Sequence, residues 1–226
     1  DTGTGENASL FLNNASSFGG VPNGTCNLAS GFCPVFNESN TKLGRAALKF
    51  DGTNDFVEVK LRGPLNFTND HTLEMWIKPD SLSAGGTTLI SRRNISNPSI
   101  NVEVRTNTGV QVELTGTCNP SAGITLTGNL KLAPGNWYHI TTTYLPNSRA
   151  AIYVNGILDA ETTSSVPAAL CAQNASWYIG AFQTGDPPGA NFDGYIDEVA
   201  VWNISLSSAD IAEHSGYGID RSIYGN

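Results

Sequence analysis

ALKFDGTNDFVEV (47–59) and NFDGYIDEVAVWNISLSSADI (191–211) stand near opposite ends of a 226-residue chain. Between them, in order, come TLEMWIKPD (72–80), GNWYHITTTYLPNSRAAIYVNGILDA (135–160) and ASWYIGAF (175–182). Aliphatic and aromatic residues fall in short alternating runs broken by Gly, Asn, Pro and Thr, and no apolar pattern of helical spacing reaches three turns before residue 206. Successive strand side chains point oppositely, so Leu73, Met75 and Ile77 share one face while Glu74, Trp76 and Lys78 share the other. The same parity turns Ile100, Val102 and Val104 inward from SINVEVRT, and Val110, Val112 and Leu114 inward from GVQVELTG, with a turn at Thr106 to Gly109. A second hairpin joins YHITTTY to AAIYVNG through Pro146 to Ser148, and Asn155-Gly156 suits a tight turn that needs positive φ. Only SLSSADIAEHSG (205–216) reads as a helix, with Ser207 or Ser208 as N-cap and Gly216 as the stop. The expected fold is all-β: a two-sheet antiparallel sandwich with one short helix near the C-terminus, in a chain long enough to bury a full core.

Charge narrows the partners. A formal net charge of −8 and a pI near 4.7 argue against nucleic acid and anionic membrane surfaces, which need a basic patch. No Lys/Arg cluster exceeds Arg92-Arg93, and no segment approaches the roughly 18 apolar residues of a membrane span. The chain begins at Asp1, as expected of a processed form or fragment from which a signal peptide has been removed. Four cysteines stand at Cys26, Cys33, Cys118 and Cys171, without a histidine close to any of them, which argues against zinc. Two disulfides are expected, and of the three formal pairings Cys26–Cys33 with Cys118–Cys171 is favoured. Eight N-x-S/T sequons occur, at Asn7, Asn14, Asn23, Asn37, Asn66, Asn94, Asn174 and Asn203. That is about twice what composition predicts, and each falls in a predicted loop or strand end able to carry a glycan. Disulfides and N-glycans together imply an extracellular or cell-surface protein.

Taken in order and spacing, the five phrases resemble the laminin-G-like, concanavalin A-like lectin/glucanase jelly roll over about residues 42–215. NGTC (23–26), CPVFNES (33–39) and LGRAALKFDG (43–52) look like modules of this kind in large archaeal and bacterial surface proteins, although LFLNN (10–14) replaces the acidic residues expected in a first strand. The implied organisation is residues 1–41 as an N-terminal strand and variable disulfide loop, part of the jelly roll or swapped onto it; 42–215 as the jelly roll; and 216–226 as a tail. Lectins, adhesion modules, structural subunits and glycan-cleaving enzymes all use this fold, so function rests on sites.

Glucanases of the fold carry an E-x-D-x-E run, since a retaining mechanism needs two carboxyls about 5 Å apart. No such run occurs, Asp197 and Glu198 are adjacent, and His71, His139 and His214 are scattered without a nucleophile partner, so a non-catalytic protein is expected. The resemblance also implies a structural calcium, Ca2+, held by the Asp197 carboxylate and the Gly52 carbonyl with Asp51 or Asp55 nearby. The alternative is that Asp51-Gly52 is a turn and Asp197 caps a loop. For carbohydrate, Trp76 with Glu74, and Trp137 with His139, could lie on an open concave sheet beside Arg92; otherwise these tryptophans complete the core or cover a sheet edge. The expected function is an extracellular N-glycosylated structural or adhesion subunit, forming a homopolymer through ASLFL (8–12) and the tail GYGIDRSIYGN (216–226). The alternative is a lectin-like module of an adhesin or glycan-degrading enzyme, with external polysaccharide as partner.

Overall fold

The structure is a computed structural model and describes residues 24–25, 32–60, 68–93, 98–116, 118, 123–171, 175–182 and 188–216. Its strands are β1 (Gly24–Thr25), β2 (Val35–Asn37), β3 (Ala47–Asp51), β4 (Val57–Val59), β5 (His71–Pro79), β6 (Thr87–Arg93), β7 (Pro98–Arg105), β8 (Gly109–Thr115), β9 (Gly123–Thr127), β10 (Tyr138–Leu145), β11 (Arg149–Val154), β12 (Ile157–Thr162), β13 (Trp177–Ile179) and β14 (Asp193–Trp202). One helix, α1 (Ser208–His214), follows. The first sheet runs β1-β4-β13-β6-β7-β8-β9 and the second β12-β11-β10-β5-β14-β3-β2. Late strands are inserted between early ones, β13 between β4 and β6 and β14 between β5 and β3, which makes the sandwich a jelly roll.

The inward sets read from alternation do form the core. Leu73, Met75, Ile77, Ile100, Val102, Val104, Val110, Val112 and Leu114 are each at most 2% exposed and belong to one cluster. Burying each such side chain contributes about 1.5–3 kcal/mol. Phe50 meets Phe192 edge to face at 6.3 Å. Gly180 lies so close to the Phe50 ring that a Cβ there would collide with it, and its φ of +78° is one that side-chain-bearing residues avoid. Between β11 and β12, Asn155 (φ 52°) and Gly156 (φ 79°) are both left-handed, the pairing that a two-residue hairpin matched to strand twist requires.

Cys118 and Cys171 form a disulfide with Cα atoms 4.7 Å apart, as expected. Cys33 is also disulfide-bonded, and its expected partner Cys26 lies outside the described residues. Ser207 caps α1 through a capping box with Asp210, and Gly216 (φ 69°) follows the end of the helix. The helix lies on the outer face of the second sheet, where Ile211 and Leu206 pack with Ala151, Tyr153 and Trp202 in a second small core. Among the described residues no helix is long and apolar enough to cross a membrane.

Candidate functional site on the outer face of the second sheet

Four side chains of β5 point away from the main core: Thr72, Glu74, Trp76 and Lys78. Register sets Glu74 opposite Thr141 of β10 and Ala200 of β14, and Trp76 opposite His139 and Asp197. Glu74 is 3% exposed because α1 and the end of β14 close over it. Its carboxylate accepts from Trp202 Nε1 at 2.7 Å and Thr141 Oγ1 at 3.4 Å, and lies 2.9 Å from His214 Nδ1. The imidazole of His214 stacks on Trp202 at 5.4 Å, and its pKa is raised chiefly by the hydrogen bond to Glu74. Trp76 is 5% exposed, against the His139 ring at 5.0 Å and beneath the Lys42 ammonium at 4.3 Å.

The expected open sugar face of Glu74, Trp76, His139, Trp137 and Arg92 is therefore not formed. Glu74, Trp76 and His139 share the predicted face, but helix and loop cover them. Arg92 is in the other sheet, and a register shift between Thr88 and Ile90 of β6 leaves it paired with the inward Ile100. It is fully buried, donates to Ser99 Oγ at 3.0 Å and lies 5.3 Å from the Trp177 ring; burial brings its pKa down to about 10. Of the five, Trp137 keeps a half-buried position beside an accessible surface.

Of the four residues expected to hold calcium, Asp51, Gly52 and Asp55 share one turn and Asp197 stands apart from them. Asp51 pairs with Asp193, whereas Asp197 lies four residues further along β14, opposite Trp76. Asp197 ties down the 41–43 loop: Oδ2 accepts from Lys42 N at 2.9 Å, Leu43 N at 3.1 Å and Thr41 Oγ1 at 3.2 Å, and Oδ1 from Glu198 N at 3.0 Å. Asp51 Oδ1 accepts from Thr53 N at 2.8 Å, Gly52 N donates to the Phe192 carbonyl at 3.0 Å, and Asp55 Oδ2 accepts from Asp51 N at 2.9 Å. Burial foremost raises the Asp55 pKa. Calcium needs six to eight oxygens around one point, and these residues do not fit it. They form the turn and the loop cap that were the alternative reading, and among the described residues no three His, Cys, Asp or Glu are grouped to share a metal.

Two sequon asparagines are described. Asn37 Oδ1 accepts from Ser39 N at 3.0 Å and Asn40 N at 2.8 Å, and Asn203 is half-buried. Asn7, Asn14, Asn23, Asn66, Asn94 and Asn174 lie outside the described residues.

Beyond Trp76 the same face is only half-buried among the described residues. Trp137, just before β10, lies 6.4 Å from the ring of Tyr195 on β14. Tyr195 is paired across the sheet with both Lys78 and Lys49, whose ammonium groups stand 5.6 and 5.3 Å from its ring. Asn40 joins the group, donating to Tyr195 Oη at 3.4 Å and accepting from Lys78 Nζ at 3.1 Å. All five residues are half-buried. Sequence reasoning missed Tyr195, Asn40 and Lys49; Lys78 was visible on the parity of Trp76, but nothing local showed that β14 would bring Tyr195 beside it. The outer face of the first sheet is polar too, yet its members serve one another: Glu103 accepts from Arg105 Nε at 2.6 Å and from Asn101 Nδ2 at 3.3 Å, and Ser91 Oγ donates to the Ala181 carbonyl at 3.0 Å.

A family model described as the concanavalin A-like lectin/glucanases superfamily, of the laminin-G type, matches residues 51–212, and the chain belongs to this family. No curated protein matches it in sequence. Among solved structures it is similar to domain 4 of AbnA, a GH43 extracellular arabinanase of Geobacillus stearothermophilus in complex with arabinotriose, with a TM-score of 0.61, 20% identity, and 80% of this chain and 81% of that one covered. The binding domain of Paraclostridial Mosquitocidal Protein 1 gives a TM-score of 0.69 at 13% identity, covering 87% of this chain and 48% of that one. The ligand-binding domain of botulinum neurotoxin serotype D, in complex with N-acetylneuraminic acid, gives 0.61 at 16% identity, covering 85% and 48%. The chain thus spans about half the length of these two toxin domains.

Proposed function

We propose that this protein is a non-catalytic, secreted carbohydrate-binding module that holds a saccharide on the half-buried part of its second sheet. The observation that carries this reading is the half-buried Trp137 ring beside Tyr195, with the amide of Asn40 and the ammonium of Lys78 at hand. An apolar ring surface bordered by a few convergent polar groups is what a saccharide needs, since its C–H face stacks while its hydroxyls demand partners. Sugar-bound structures among the relatives support it as well. The homopolymer reading gives way to this one: its strand at 8–12 and its tail beyond Gly216 lie outside the described residues, and the structural relatives favour binding. Secretion agrees with the disulfide at Cys118–Cys171. N-glycosylation belongs to the same reading, and an intact mass of the native protein above the 23.9 kDa of the polypeptide is expected.

Calorimetric titration of the full chain with a panel of oligosaccharides, arabinotriose included, tests the binding role. Saturable binding is expected for at least one class, without release of shorter products. Trp137→Ala should weaken it about tenfold or more, equivalent to about 1.4 kcal/mol, while the far-UV spectrum stays that of the folded protein. Affinity unchanged in that variant would remove the site.

A further inference from the structure

The charges around Trp137 carry the reading of this site one step further. Lys49 is committed: its ammonium meets Asp80 at 2.8 Å and Asp193 at 3.0 Å, and although burial works against the charge, these two hydrogen bonds hold its pKa above the usual lysine value. Asp193 in turn also accepts from Ser81 Oγ at 2.7 Å. Asp197, the remaining outward carboxylate of this strand segment, is taken by its four donors from the 41–43 loop and Glu198. Lys78 is different. Among the described residues its partners are the neutral amide oxygen of Asn40 at 3.1 Å and the Tyr195 ring. Lys42, over the next outward residue of β5, is exposed and rests on the Trp76 ring. Among the described residues neither Lys42 nor Lys78 has a carboxylate within ion-pair distance. In a chain of net charge −8, the patch beside the half-buried Trp137 thus presents two ammonium groups with no carboxylate partner among the described residues.

We propose that this site selects a sugar bearing a carboxylate, its ring on Trp137 and its carboxylate against Lys78, with Lys42 adding to the local positive potential. The inference rests on the carbohydrate-binding reading and adds the chemical class of the ligand. An ammonium and a carboxylate brought together at a partly dehydrated surface form a charge-assisted hydrogen bond, roughly twice as strong as a neutral one. A neutral sugar would leave Lys78 with its amide partner alone.

The test compares acid and neutral forms of one ring. Oligogalacturonate and its methyl ester, and sialyllactose and its methyl ester, are titrated against the full chain at low salt and again at 0.5 M NaCl. At low salt an acidic member is expected to bind at least tenfold tighter than its neutral counterpart, and added salt should shrink the gap as the charges are screened. Which acidic sugar shows the gap separates the uronic from the sialic source. Lys78→Met, which keeps the apolar stem, should abolish the gap, and Lys78→Arg should retain it. Acid and neutral forms binding alike, with both lost in Trp137→Ala, would overturn the charge selection and leave the carbohydrate-binding role standing. Absence of binding by every sugar would overturn both. A gap that persists in Lys78→Met would also sink the proposal.

Discussion

Thr72, Glu74 and Trp76 of β5 are buried under α1, the end of β14 and the 41–43 loop, whereas Lys78, the next outward residue of the same strand, is half-buried beside Trp137 and Tyr195. One strand face thus changes from a second core to a surface within two residues. On the closed part the Thr72 hydroxyl and the Glu74 carboxylate have fixed protein partners, and the chemistry serves stability. Further along, the Lys78 ammonium and the Trp137 indole are half-buried, and it is there that the proposed ligand would sit. What separates the two is the reach of a seven-residue helix and a short loop pinned by one aspartate.

The largest effect expected from breaking this contrast is at Glu74. Glu74→Ala removes the acceptor shared by Trp202, His214 and Thr141 and should cost about 3–4 kcal/mol in urea unfolding, because it leaves buried donors orphaned. A loss below about 1 kcal/mol would mean that the helix stays closed without it.

Two histidines at the edges of this region should tilt stability in opposite directions with pH. His71, inward at the start of β5 and packed on Tyr144, has its pKa lowered by burial to about 4 from an ordinary 6.5. A depressed base contributes stability that is complete above pH 6.5 and lost as pH falls towards 4, by about 3 kcal/mol for a shift of this size. His214 has a raised pKa, so its contribution is complete below pH 6.5 and is lost as pH rises through the folded value. Unfolding curves from pH 4 to 9 should therefore show a loss on each side, and His214→Gln should flatten the alkaline one alone. An alkaline arm unchanged in that variant would detach it from His214.

Next in size, Asp197→Ala should cost about 2 kcal/mol by releasing the 41–43 loop, and should raise the solvent exposure of Trp76 measured by fluorescence quenching. On the half-buried part, Lys78→Met should change stability by no more than about 0.5 kcal/mol, as at most surface positions. A larger loss would make Lys78 a structural residue. The smallest effect expected is that of a chelator, which should leave the melting temperature where it was because the Asp197 carboxylate serves amides; a clear drop would bring calcium back.

Much of the framework was legible in local sequence. Alternation identified the inward sets of β5, β7 and β8, Asn155-Gly156 marked a turn with two positive φ values, and Ser207 and Gly216 bracketed the helix, because each depends on a few neighbouring dihedrals. The candidate site was half legible: parity put Trp76 and Lys78 on one face and Trp137 with His139, but it could not say which of them would be covered. A period of two also fails wherever a bulge intervenes, as in β6 just before Arg92.

By itself, then, the sequence determined the class of fold and the alternation of its strands, and favoured the Cys118–Cys171 link among three pairings. Tertiary structure alone decided that β14 would insert beside β5, bringing Tyr195 to Lys78 and Asp197 to the 41–43 loop, and that α1 would close over Glu74 but stop short of Trp137. The physical reason is range. Side-chain direction is set by the dihedral angles of adjacent residues, whereas burial of an outward face depends on contacts between segments more than a hundred residues apart, such as Glu74 with His214.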